Sequence, residues 1–128
     1  MIVNIRTKIW VTFQKEGIHC YPEAATNPKL ATGDQFDVSF LAHPHRHMFH
    51  FKVTIAVTHL NRDIEFIQFK RWLVSVIPDN LENMSCEMIA ARVITLITNE
   101  YGSDRFSFIE VEVSEDGENG AVQTQEAI

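Results

Sequence analysis

The sequence predicts an α+β fold: an antiparallel four-stranded sheet with two helices packed on one face, in ββααββ order. Three observations predict it. Residues 3–13 and 45–57 alternate apolar and polar side chains with the period of a half-buried strand. Two stretches between residues 64 and 101 carry apolar residues every three or four positions, the period of a surface helix. A second alternating pair then closes the chain. Parallel strands need a crossover helix between each pair. A strand pair, two helices and a second strand pair therefore form an antiparallel sheet with both helices gathered on one face.

In the first strand Val3, Ile5, Ile9, Val11 and Phe13 share one face, with Asn4, Arg6, Lys8 and Thr12 between them. Glu16-Gly17-Ile18-His19-Cys20-Tyr21-Pro22 is expected to end it and open a loop, rich in Pro, Ala, Asn and Gly, that runs to Asp34. Phe36, Val38 and Phe40 alternate briefly, which predicts a short edge strand. His45, His47, Phe49, Phe51, Val53, Ile55 and Val57 then lie on one face of a long strand, with Arg46, Met48, His50, Lys52 and Thr54 on the other. A turn at 59–63 leads into a helix carried by Phe66, Phe69, Leu73, Val76 and Ile77, and Pro78 stops it. Ser85 is the expected N-cap of the second helix, with Glu87 in the first turn, where the helix dipole favours negative charge. That helix carries Ile89, Val93, Leu96 and Ile97 and ends at Gly102. Phe106, Phe108 or Ile109, Val111 and Val113 predict a third strand. Residues 115–120 form a polar turn, Ala121-Val122 starts a last strand, and the final six or so residues are expected to fray.

With 128 residues and 45% hydrophobic side chains, the chain suits one domain over residues 1–128 with a substantial core. A formal net charge of −6 offers no basic footprint, so nucleic acid is excluded as the main partner. The longest charge-free run carries polar residues and is no membrane span. Met-Ile-Val-Asn-Ile-Arg alternates where an export signal would be continuously apolar, which predicts a cytoplasmic location. Cys20 and Cys86 are accordingly expected to be reduced thiols.

Six histidines stand out, and His43, His45, His47 and His50 fall within eight positions. His45 and His47, two apart on one strand, point to the same side and can converge on one ion. Pairing the first long strand against 45–57 brings His19 close as a third ligand, and His43, just before Pro44, competes for that role. Three neutral imidazoles suit Zn²⁺ and leave a fourth position open, as in catalytic sites. His50 has the opposite parity, and His59 falls in a turn.

Five segments, in collinear order from about residue 9 to 122, resemble the 6-pyruvoyl-tetrahydropterin synthase / 6-carboxytetrahydropterin synthase family of tunnelling-fold (T-fold) enzymes. Phe13-Gln14-Lys15-Glu16-Gly17-Ile18-His19 stands where the family has its first His segment, and His45-Arg46-His47-Met48-Phe49 resembles the His-Gly-His entry to the second strand. Ile64-Glu65-Phe66 resembles the Asp-Phe opening of the first helix, and Asn83-Met84-Ser85-Cys86-Glu87 the Asn-Pro-Thr-Ser-Glu opening of the second. Val111-Glu112-Val113-Ser114-Glu115 resembles the strand that delivers a ring-anchoring Glu.

The resemblance implies that His19, His45 and His47 are zinc ligands. It also implies that Glu115 accepts the paired hydrogens of the 2-amino-N3-H edge of a pterin-like ring. It implies a lyase acting on a dihydroneopterin-triphosphate-like substrate, and a homo-oligomer, a hexamer built as a dimer of trimers. Two departures accompany it. Leu41 occupies the position of the family's nucleophile-like Cys, and Val76–Glu82 is short and lacks the family's Asp-His pair. Cys20, beside His19, and His43 are then the candidates for proton transfer. The alternative to catalysis is a zinc-containing T-fold protein that binds a pterin- or purine-like ligand. A purely structural assembly protein is a third reading.

Overall fold

A computed structural model describes residues 1–127. Four strands, β1 (Thr7–His19), β2 (His45–Val57), β3 (Phe108–Glu115) and β4 (Asn119–Glu126), form one antiparallel sheet in the order β1-β2-β3-β4. Two helices, α1 (Phe66–Val76) and α2 (Cys86–Tyr101), lie between β2 and β3 in sequence. The expected α+β architecture is the observed one.

The sheet has one apolar face because its strands keep a common parity. Val11 pairs with Val53 and Phe13 with Phe51 across β1 and β2, and Val53 and Phe51 pair in turn with Val111 and Val113 of β3. These side chains pack with Phe69 and Leu73 of α1 and with Ile89, Ala90, Val93 and Ile97 of α2 in one core. Burying each large apolar side chain is worth about 1.5–3 kcal/mol.

The helix ends are held locally and by tertiary contacts. Glu65 accepts hydrogen bonds from the N–H groups of Ile67 and Gln68 at the start of α1. Ile77 turns extended ahead of Pro78 and ends that helix, as expected. Lys15, reaching over from β1, donates to the carbonyls of Val74 and Ile77 and satisfies two acceptors at the α1 C-terminus. Ser85 caps α2 by accepting from the Met88 N–H, and the Gly102 N–H closes its last turn on the Thr98 carbonyl.

Three boundaries differ from expectation. β1 begins at Thr7 and runs on to His19, whereas alternation suggested residues 3–13. The Gly17 break does not occur, because Gly17, Ile18 and His19 pair with His47, Arg46 and His45. A Cβ at Gly17 would stand 2.9 Å from Leu81 Cδ1 and 3.0 Å from Phe49 Cδ2, so the glycine serves close packing. No edge strand forms at 36–40. There the Asp37 carboxylate gathers the Gly33 and Ser39 N–H groups, and a short 3-10 turn follows at Ser39–Ala42. The last residues are not frayed as far as Glu126, since β4 pairs with β3 along its length, from Glu115↔Asn119 to Phe108↔Glu126.

Candidate metal centre

The ends of β1 and β2 bring three imidazoles together. His19 is the last residue of β1 and His45 the first of β2, and the two are register partners. His47 follows on the same face of β2. One ring nitrogen of each of His19, His45 and His47 lies within 4.8 Å of those of the other two. The third histidine is therefore brought in by strand register, which the extended β1 supplies.

Each ring is held by its Nδ1. His19 Nδ1 donates to the Met84 carbonyl at 2.8 Å, just ahead of the α2 cap. His45 Nδ1 donates to the His43 carbonyl at 2.8 Å, and His47 Nδ1 to Asp116 Oδ2 at 2.8 Å. With the hydrogen on Nδ1, the neutral ring keeps its lone pair on Nε2. Carbonyl or carboxylate partners on the far nitrogen are the usual outer support of metal-binding histidines.

The Nε2 atoms are the second observation. Those of His19 and His47 are buried and take no hydrogen bond. Glu115, the last residue of β3, nevertheless stands 3.1 Å from His19 Nε2 through Oε1 and 3.4 Å from His47 Nε2 through Oε2. Lone pairs on nitrogen and on a carboxylate repel at that distance unless a metal ion or a proton lies between them. A buried, unsatisfied polar atom costs about 1–3 kcal/mol, and a shared metal ion removes that cost. The donor set of imidazoles and a carboxylate suits Zn²⁺.

The turn after β3 supplies the support for His47. Glu118 N–H bonds back to the Glu115 carbonyl, and the two residues between, Asp116 and Gly117, both have positive φ (57° and 74°). That is a type I′ turn, which favours Asp-Gly. It leaves Asp116 facing β2, where its N–H donates to the Met48 carbonyl at 2.8 Å and Oδ1 accepts the Met48 N–H at 3.0 Å. Hydrogen bonds from His47 first, and from Met48 second, hold the Asp116 carboxyl below the usual carboxylate range.

The structure separates the other candidates from the three rings. His43 contributes its backbone carbonyl to His45, and its ring is not part of the cluster. Cys20 is partly exposed, and its thiol donates to Asn83 Oδ1 at 3.0 Å. Cys86 is buried at the first position of α2, where burial, then Glu115 and then Glu87, push its thiol up to about 11. It stays a protonated packing residue. His50 lies on the opposite sheet face, and His59 sits exposed in the turn, accepting from the Asn61 N–H.

The segment after Pro78, where the resemblance departs, has a structural task here. Asp79 to Glu82 lines the outer edge of β1: the Ile18 N–H donates to the Asp79 carbonyl, the Leu81 N–H to the Ile18 carbonyl, and the Cys20 N–H to the Glu82 carbonyl. The sequence places Asp116 only within the polar turn 115–120 and assigns no role to Lys15, Asn83 or the Met84 carbonyl. The Asp-Gly dipeptide marks the turn, but only strand register shows that Asp116 faces His47.

Among solved structures, the chain is similar to the 6-pyruvoyl tetrahydropterin synthase of Plasmodium falciparum, with a TM-score of 0.64 at 14% identity over 96% of this chain and 99% of that one. Its fold is that of a 6-pyruvoyl tetrahydropterin synthase. The Plasmodium vivax 6-pyruvoyl tetrahydropterin synthase gives a TM-score of 0.58 at 12% identity, again over 96% of this chain and 99% of that one. No protein-family model matches the sequence, and no curated protein matches it. No helix among the described residues is long and apolar enough to cross a membrane.

Proposed function

We propose that the chain is a 6-pyruvoyl-tetrahydropterin synthase-like, zinc-dependent carbon–oxygen lyase, one T-fold domain over residues 1–128, acting on a dihydroneopterin-triphosphate-like substrate. The observation that carries this reading is the set of three imidazoles whose Nδ1 hydrogens are all committed outward, leaving convergent Nε2 lone pairs. His19, His45 and His47 would hold zinc, which supplies Lewis-acid polarisation of a substrate oxygen. Glu115 would take the 2-amino-N3-H edge of the ring through two parallel hydrogen bonds. Cys20, next to His19 in sequence, is one candidate for proton transfer. Its hydrogen bond to Asn83 holds the thiol in place and would have to break or relay for it to act. His43, exposed and outside the three-histidine group, is the other.

The second reading, a zinc-containing T-fold protein that binds a pterin- or purine-like ligand without turnover, is favoured by two observations. Leu41 stands where the family places its Cys, and residues 79–82 are occupied in covering β1. Both readings include a homohexamer, a dimer of trimers, in a cytoplasmic setting. An oligomer is supported by the exposed β4 edge and by β1, whose outer edge, among the described residues, is hydrogen-bonded only near Ile18–Cys20.

The deciding experiment measures zinc per chain, with His45→Ala as control, and then consumption of dihydroneopterin triphosphate with and without Cys20→Ala. About one zinc per chain, lost in His45→Ala, together with Cys20-dependent turnover, supports the lyase. Zinc with no turnover moves the assignment to the ligand-binding reading. Absence of zinc overturns both.

A further inference from the structure

The carboxylate at the end of β3 is aimed at the histidines. We infer that, in the ligand-free protein, Glu115 is the fourth donor of the metal centre and closes a His₃Glu set. This rests on the metal reading above and goes beyond it, because ring anchoring engages Glu115 only when a ligand is bound.

Three observations carry the inference. Donors bound at about 2.0–2.2 Å to one tetrahedral ion stand roughly 3.3–3.6 Å from each other. The Glu115 oxygens lie 3.1 Å from His19 Nε2 and 3.4 Å from His47 Nε2, close to that spacing. With the hydrogens on Nδ1, neither nitrogen has a hydrogen-bond partner among the described residues, so the close approach calls for a metal ion or a proton between them. Register places the carboxylate as well: Glu115 pairs with Phe49 on β2, two residues beyond His47 and on the same face. Oε1 approaches His19 and Oε2 approaches His47, and the carboxylate lies outside the 4.8 Å grouping of the three imidazoles, so ligation would draw it towards His45.

The competing explanation is a protonated histidine paired with Glu115 and no metal ligation by the carboxylate. The two differ in what Glu115 does to zinc. A ligand held only from outside the coordination shell typically costs about 10–100-fold in affinity when removed, and loss of a direct donor should reach at least the top of that range.

The test uses the full-length apo protein and zinc alone, titrated against a chromophoric chelator, for wild type, Glu115→Gln, Glu115→Asp and His45→Ala. Circular dichroism checks that each variant is folded. Cobalt substitution gives a second readout, because its visible d–d bands follow coordination number and donor type. We expect at least about a hundredfold loss of zinc affinity in Glu115→Gln and altered cobalt bands. Glu115→Asp keeps the charge but loses reach, and it should also weaken binding. Unchanged zinc affinity and cobalt bands in Glu115→Gln, with wild type binding and His45→Ala not, would overturn this inference while leaving the three-histidine centre standing. Wild-type affinity in Glu115→Asp beside a loss in Glu115→Gln would overturn direct ligation in favour of a charge effect. Failure of the wild type to bind zinc would overturn the metal reading itself.

Discussion

Asp116 and His47 are joined at 2.8 Å by a carboxylate whose other oxygen, at 3.0 Å, takes the backbone N–H of the next residue, Met48. One side chain therefore sets both the ring orientation of His47 and the strand position it rides on. Replacing Asp116 with Asn puts an amide where one of those two N–H groups expects an acceptor. Zinc affinity should fall about 10–100-fold, with the circular dichroism spectrum retained. Chelator competition checks this, and an unchanged affinity would show that His47 needs no outer support.

Lys15 links β1 to the α1 C-terminus. Its ammonium donates to the carbonyls of Val74 and Ile77 and stands 3.6 Å from Asp79. Lys15→Met keeps the aliphatic stem but leaves those carbonyls without a charged donor, at a cost of about 1.5–3 kcal/mol. Urea denaturation should show an earlier midpoint at an unchanged slope.

Gly17 lies two residues from His19, where β1 packs tightly on the core. A side chain there meets Leu81 and Phe49, the latter fully buried. Gly17→Val should destabilise by about 1–3 kcal/mol through overpacking and should weaken zinc binding by displacing the strand end that carries His19. Thermal unfolding and zinc titration on the same sample read both effects. Wild-type stability would mean that Leu81 yields to the added methyl groups.

Acid sensitivity should come in part from Asp63, at the far end of β2 from His45 and His47. Hydrogen bonding from the Thr58 N–H, and then from Arg105, lowers its carboxyl from 3.8 to about 2. It accepts from Thr58 and pairs with Arg105 at 2.6 Å, joining the end of β2 to the approach to β3. Since the folded value lies below the ordinary one, the stabilisation is fully present above about pH 4 and is lost as pH falls through 2. Asp63→Asn should therefore unfold more easily than wild type at pH 5. The gap should narrow between pH 4 and 2. A gap that stays constant to pH 2 would show that Asp63 does not titrate in that window.

The parity of apolar residues in 45–57, the three- and four-residue spacing in α1 and α2, and the Ser85 cap were legible because each follows from local geometry. A strand side chain alternates and a helix side chain recurs whatever the rest of the chain does. The pairing of His45 with His47 was legible for the same reason, being two residues on one strand. Strand pairing, and then the resemblance, pointed to His19, and the structure brings it in because β1 continues through Gly17, a residue that locally signals a break.

What local pattern could not reach was anything set by register between distant segments. Asp116 lies 69 positions from His47, and Met84 lies 65 from His19, yet both hold ring nitrogens at 2.8 Å. Glu115 reads as one acid among several until the pairing of β3 with β2 puts it beside His19 and His47. Composition and periodicity thus set the elements and their order, since these depend on each segment's own apolar face. The donor set, its outer hydrogen bonds and the task of residues 79–82 follow from how the sheet registers, because contacts across strands depend on pairings that no single segment encodes.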